Sequence, residues 1–332
     1  MNAIVKVVRF FNKDIRLATF IFLMVSSFSI AAQNWPSRVV TIVVPFPSGG
    51  TTDILARAIA NKLSPALGQP VVIDYKPGAG ATLGAAIVAK AAPDGYTLLM
   101  GAIHHTIATN VYRNLPYDFQ KDFSPITVVA SVPNVLVVNS KSPFNSVKDL
   151  VSAAKNSPNK YTYGSNGNGT SQHLIATQFQ MLTGTEFLHV PYKGSAPLIT
   201  DLLSGQVDMS FDAVSNVIQH INSGSLRPLV VISPKRSFVL PATPILAEIG
   251  YPPNLNIVTW FGLLAPAGTP KYIVSKLNSE VVKITNSPEF RKQMQDIGAE
   301  PVGNSSEEMT RQIKEETDRF SVLIKEGHVT IQ

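Results

Sequence analysis

From Arg38 onward, short β-branched runs alternate with stretches whose apolar residues recur at helical spacing. "VVTIVVPF" reads as a strand. In "TDILARAIANKLSPALG" that follows, Ile54, Leu55, Ala58, Ile59 and Leu63 fall on one helical face. Gly68 supplies the helix stop. "PVVIDY" and "YTLLMG" are the next strands, and the helix "ATLGAAIVAKAA" between them ends at the turn Pro93–Gly95. "SPITVVASVPNVLVVNS" breaks this rhythm with two β-rich pieces in succession. A helix over 147–158 then opens a second series of strands, glycine loops and helices, and the last third of the chain is helical. Strands alternating with helices predict βαβ units and parallel sheets. The pattern gives two α/β lobes, one from 33–132 plus 254–332 and the other from 133–253. The helical tail is expected to pack on the first lobe.

The first 32 residues stand apart. Lys6, Arg9, Lys13 and Arg16 precede the apolar run "LATFIFLMVSSFSIAA", which is shorter than the roughly 20 residues a membrane-spanning helix needs. A basic segment, an apolar segment and small residues at its end predict a signal peptide cleaved near Ala31/Ala32. Because no cysteine follows it, no lipid anchor is expected, and the mature protein is expected to be soluble and exported. Its loss removes four bases and one acid, which lowers the net charge from +6 to +3.

That remaining charge is mild and no Lys/Arg-rich run occurs elsewhere, so nucleic acid is not an expected partner. With no cysteine there is no disulfide, thiolate metal site or thiol nucleophile.

Four loops carry candidate chemistry: 45–53 ("PFPSGGTTD"), 76–82 ("KPGAGAT"), 164–171 ("GSNGNGTS") and 192–196 ("YKGSA"). Each lies where a strand gives way to a helix. The first N–H groups of a helix have no intrahelical partner, and the helix dipole adds partial positive charge there. Glycines let the backbone approach a ligand, and Ser/Thr hydroxyls add donors, so such loops suit an anion. Each loop alone is equally an ordinary capping sequence. Asp53 in particular reads as a helix-start residue, since its carboxylate would repel an anion.

Enzyme signatures are missing. No Gly-Lys dipeptide supports a phosphate loop, and "GAGATLG" has one residue too many for a dinucleotide fingerprint. There is no G-x-S-x-G elbow, and the six histidines lack metal-ligand spacing. A hydrolase would have to use a pair such as Ser171 and His173, which face different ways on a helix start. No enzyme activity, metal or cofactor is expected. His104-His105, after a strand, and Phe46, between two prolines, are candidates to line a cleft.

The segments "WPSRVVTIVVPFPSGGTTDILAR", "LGQPVVIDYKPGAGATLGAAIVAKAAPDGYTLLMG", "YGSNGNGTSQHL", "HVPYKGSAP" and "WFGLLAPAGTP" resemble the Bug-type receptors. Those are the extracytoplasmic solute-binding proteins of tripartite tricarboxylate transporters, and the resemblance runs from Trp35 to the C-terminus. It implies a two-lobe Venus-flytrap of the type II periplasmic binding protein class, with ligand in the interdomain cleft. It also implies a periplasmic receptor for a small carboxylate (a di- or tricarboxylate, an acidic amino acid or an aromatic acid). In that family the first-lobe loops hold one carboxylate, and the second-lobe loops with the stretch Phe211-Asp212-Ala213 select the rest. The ligand-binding residues expected are thus Phe46, Ser48, Gly49, Gly50, Thr51, Thr52, Gly80, Ala81, Thr82 and His104 from the first lobe. The second lobe offers Ser165, Asn166, Gly169, Thr170, Ser171, Lys193, Gly194, Ser195 and Asp212. The Pro47-Ser48 pair departs from the alanine or proline-glycine common there, which leaves the ligand open. The expected partners are the membrane subunits of the transporter or, alternatively, a sensor protein, with the receptor a monomer.

Overall fold

The computed structural model describes residues 35–252 and 257–326. The signal peptide, its cleavage site and the expected return to the first lobe at 254 lie outside the described residues. Residues up to Arg38 form a unit of their own, of which 35–38 are described, with a cis Trp35–Pro36 peptide.

From Val39 onward the chain forms two sheets. The first begins with β1 (Val40–Val44), α1 (Thr51–Leu67), β2 (Val71–Tyr75), α2 (Thr82–Ala89), β3 (Thr97–Ala102), α3 (His104–Val111) and β4 (Phe123–Val132). The second is built from β5 (Asn134–Asn139), α4 (Val147–Asn156), β6 (Thr162–Ser165), α5 (Ser171–Thr183), β7 (Leu188–Pro191), α6 (Ser195–Ser204), β8 (Met209–Ala213), α7 (Val214–Asn222) and β9 (Leu226–Ile232). The chain then adds β10 (Thr259–Pro266), α8 (Lys271–Asn286), α9 (Pro288–Asp296), β11 (Glu300–Pro301) and α10 (Ser306–Glu326). Strand order is β11-β4-β10-β3-β1-β2 in one sheet and β7-β6-β8-β5-β9 in the other.

The local chemistry explains the elements. The branched side chains of β1 are buried at four of five positions. Leu55, Ala58, Ile59 and Leu63 make the buried face of α1, which ends at Gly68 with φ 68°. Ser146 caps α4 by accepting the Asp149 amide at 3.1 Å.

The sheets are mixed rather than parallel. β1 pairs in parallel with β2 and β3, and β6 with β7 and β8, as βαβ crossovers require. β5 and β10 instead run antiparallel to their neighbours. Neither is reached by a helical crossover: β5 follows β4 after the single residue Pro133, and β10 returns from the other sheet. Helices α3 and α7 are not among the elements predicted from the sequence. α3 starts with two histidines after Ile103 and has no side-chain cap, so no start signal is present. The tail helices α8 and α10 pack on β4, and α10 also on α3.

Candidate functional site

Among the helices that follow strands, α1, α2 and α3 of one lobe and α5, α6 and α7 of the other have their starts or the loops before them at one cleft. Ligands of open α/β sheets bind at these carboxyl ends of strands.

In the loop before α1, Gly49 has φ 92° and its N–H donates to Asp53 Oδ2 at 2.8 Å. Asp53 is only 5% exposed, and its Oδ1 accepts from the Tyr75 hydroxyl at 2.6 Å and Arg57 Nε at 2.7 Å. The carboxylate thus holds the loop from behind. Asp53→Ala is expected to strand the Gly49 N–H and the Tyr75 hydroxyl, costing about 2–3 kcal/mol in urea unfolding. Arg57→Ala should cost far less because that side chain is mostly exposed. Equal losses from the two variants would contradict this assignment.

The loop before α2 is a left-handed turn, with φ of 48° at Ala79, 59° at Gly80 and 78° at Ala81. Two alanines in this region are strained, a feature that concentrates at functional sites. The Thr82 hydroxyl donates to Ala79 O at 2.8 Å, and the Tyr112 hydroxyl donates to Asn168 O across the lobes at 3.0 Å.

In the loop before α5, Thr170 donates to Gly167 O at 2.7 Å and caps the His173 amide. Ser165 Oγ meets His189 Nε2 at 2.7 Å, and Gly169 N–H donates to His173 Nδ1 at 3.3 Å. The rings of His173 and His189 stack at 4.4 Å, and Tyr163 stacks on His189 at 4.6 Å. Burial holds His173 near pKa 4, and burial with the neighbouring His173 holds His189 near 3.

The lobes touch through polar bonds. The Thr51 hydroxyl lies 2.6 Å from Ser215 Oγ and donates to Asn216 Oδ1 at 2.8 Å. The Ser171 N–H donates to His104 Nδ1 at 3.0 Å, and Ser171 Oγ meets Thr259 Oγ1 at 3.1 Å. Burial, with His105 adjacent, lowers His104 to about pKa 3, so the ring is neutral. With Nδ1 accepting, its single hydrogen sits on Nε2, which makes His104 a donor there. His105 turns away and stacks on Phe119 at 5.0 Å.

Between the lobes lies an inner cavity of about 20 Å³, lined by Phe46, Gly50, Thr51, Thr52, His104, Asn166, Gly194 and Ser195. Pro47, Gln172, Ala196, Ala213, Asn216 and Phe261 complete it, and no Lys or Arg lines it. An outer cavity of about 300 Å³ includes Gly80, Ala81, Tyr112, Asn168, Tyr192 and Lys193. Phe46 and Asn166 line both, so the two are parts of one cleft. Its size is that of a small-molecule site.

The remaining expected residues lie just outside the lining. Ser48 and Gly49 are on the exposed tip of their loop, while Thr82, Ser165, Gly169, Thr170 and Ser171 make the loop-shaping bonds described above. Asp212, fully buried, accepts at Oδ1 from Asn166 (3.3 Å), Ser195 (3.0 Å), Ala213 N (2.7 Å) and Asn216 (2.7 Å). Asn216, Gln172, Tyr112 and Phe261 went unnoticed in the sequence. Only Gln172 and Asn216 had a local signal, a polar residue in the first turn of a helix that follows a strand. Among the described residues, no group of three or more His, Cys, Asp or Glu could hold a metal ion. No helix there is long and apolar enough to cross a membrane.

A two-lobe fold with its cleft at converging helix starts defines a solute-binding receptor of the periplasmic binding protein type. The chain belongs to the tripartite tricarboxylate transporter receptor family, whose model matches residues 55–329. BugT of Bordetella pertussis is 36% identical over 299 residues, covering 90% of this chain and 91% of BugT. The structure of R. palustris Rpa4515 with adipate is 40% identical with TM-score 0.86, covering 90% of this chain and all of that one. MatC of Rhodopseudomonas palustris with bound malate is 32% identical with TM-score 0.83, covering 87% and 100%. The family consists of receptors rather than enzymes.

Proposed function

We propose that this chain captures a small carboxylate in the cleft and, closed around it, delivers it to the membrane subunits of a tripartite tricarboxylate transporter. The observation that carries this reading is the set of helix N-termini and hydroxyls converging on an inner cavity without a cation. Backbone N–H groups at helix starts bind anions by direction and dipole, so no arginine is required. His104 adds a neutral donor. The adipate and malate held by Rpa4515 and MatC are carboxylates of the size this cleft suits.

The lobes hinge where the chain crosses between sheets, at Pro133 and between β9 and β10, and the closed form is the state the permease recognises. Residues 1–32 direct export to the periplasm and are removed.

Thermal shift of the mature protein against adipate, malate, an acidic amino acid and an aromatic acid tests the reading. At least one should raise Tm progressively with log concentration, by up to about 2.7 kcal/mol of added stability at 100 times Kd. Sugars and divalent cations should leave Tm unchanged. If a sugar or cation shifted Tm and no acid did, the reading would fail.

A further inference from the structure

The second lobe holds a cavity of about 610 Å³ at the end of its sheet opposite the cleft. Strand β5 runs antiparallel to β8, so α4, which follows β5, starts at the end where β8 begins. None of the residues lining this cavity lines the cleft. Its origin is local. β9 is the edge strand, and the chain after it folds back along that edge. The Val231 N–H donates to Pro244 O at 2.8 Å, and Val231 bridges Ile245. Pro228 has no N–H with which to continue the pairing. The gap left between β9, residues 242–251 and the first turns of α4 is the cavity.

Its walls are mainly apolar, with Val147, Val151, Leu229, Pro244, Ile249 and Tyr251. Polar groups on the wall nevertheless lack partners. Thr243 is only 6% exposed, and its hydroxyl makes no hydrogen bond among the described residues. At the start of α4, Ser146 takes the Asp149 and Leu150 amides, which leaves the N–H groups of Val147 and Lys148 without an acceptor. The Lys148 ammonium forms no ion pair among the described residues. The other charges nearby are engaged elsewhere. Asp149 accepts the Asn145 N–H at 3.1 Å and does not line the cavity. Arg227 donates to the carbonyls of Ser140, Ser142 and Phe144. No Asp or Glu lines the cavity, so Lys148 gives it a positive charge.

We propose that this cavity is a second ligand site, for an apolar monocarboxylic acid. The body of the acid lies against the aliphatic walls and Tyr251, in a space of the size that buries a small organic ligand. Its carboxylate meets the Lys148 ammonium and the free N–H groups at the start of α4. The Thr243 hydroxyl serves a polar atom of the ligand. A dicarboxylate is excluded, because its second charge would lie unpaired against an apolar wall. The site is therefore independent of the cleft in position and in the class of acid it takes.

The test is calorimetry on the mature protein, with 4-phenylbutyrate as the probe and its neutral amide for comparison. A saturable isotherm is expected for the acid, with binding about tenfold weaker for the amide. Val151→Trp, which fills the cavity from the second turn of α4, should abolish binding. Lys148→Glu, a change at an exposed position that spares the fold, should weaken the acid by about tenfold and leave the amide unchanged. Gly80→Val, whose side chain would force the cleft loops apart, separates the two sites. Binding in the cavity persists in that variant, whereas binding in the cleft is lost. Three results overturn the inference: binding lost in Gly80→Val but kept in Val151→Trp, no effect of Lys148→Glu, or no saturable binding of the acid at millimolar concentration. None of them touches the carboxylate reading of the cleft, which thermal shift with the cleft acids tests separately.

Discussion

Gly80→Val is expected to abolish carboxylate binding while leaving both lobes folded. A Cβ at Gly80 would lie 2.2 Å from the Asn168 carbonyl oxygen and 2.8 Å from the Tyr112 hydroxyl. The Tyr112 ring can rotate, but the Asn168 carbonyl is backbone and cannot. The open route to relief is to separate the loop before α2 from the loop before α5, which parts the lobes. The backbone itself resists as well, because Gly80 has φ 59° and a β-branched residue there is an outlier. A ligand that needs the closed form loses affinity by the fraction of molecules still able to close. At least a hundredfold loss, about 2.7 kcal/mol, is expected by calorimetry, together with a larger radius of gyration in solution scattering. Gly205→Ala serves as the control. It shares the left-handed backbone, φ 80°, but its Cβ would meet nothing within 4 Å. It should lower stability by about 1 kcal/mol and leave affinity unchanged. Normal binding by Gly80→Val would show that closure does not bring these loops together.

Much of this cleft was legible because its chemistry is local. A strand that must give way to a helix with a ligand-accessible start needs glycines for positive φ, and hydroxyls for caps. Both needs appear in the sequence within a few residues, as at Gly49, Gly80 and Thr170. Junctions that use neither device were silent. Helix α3 starts at His104 straight out of β3, and α7 starts at Val214 straight out of β8, without a cap or a glycine. Phe261 was hidden because its strand is buried along its whole length, so cleft-lining and core positions look alike there. Tyr112 reaches the cleft by ending α3, a helix that itself carried no signal. The antiparallel runs of β5 and β10 depend on how the chain passes between lobes, which no local pattern records. The mild role given to Asp53 has a definite structural counterpart. The carboxylate faces the back of its loop, satisfied by Gly49, Tyr75 and Arg57, rather than the cavity.

Stability is expected to fall steeply as the pH drops from about 6.5 to 4.5. Four histidines, His104 and His105 fully buried and His173 and His189 half-buried, are held neutral by the fold: His104 and His189 near pKa 3, and His105 and His173 near 4. Burial is the main cause in each case. In the unfolded chain they titrate near 6.5. Below that pH the unfolded state binds protons that the folded state refuses, so their contribution is complete above 6.5 and is lost on acidification. Two carboxyls act in the opposite sense. Asp212 and Glu316 are raised by burial, so the folded state takes their protons first, and they favour the fold as the pH falls. Four groups outweigh two. The net excess rises toward two protons near pH 5, which corresponds to roughly 3 kcal/mol per pH unit there. Urea unfolding at half-unit steps measures this slope directly. Replacing His105, which stacks on Phe119 and whose buried Nε2 has no hydrogen-bond partner among the described residues, by glutamine should reduce it by about one proton. A flat profile between pH 7 and 4.5 would mean that the histidines titrate normally inside the fold. The neutral His104 donor assigned to the cleft would then be wrong as well, because a protonated ring cannot accept the Ser171 N–H at Nδ1.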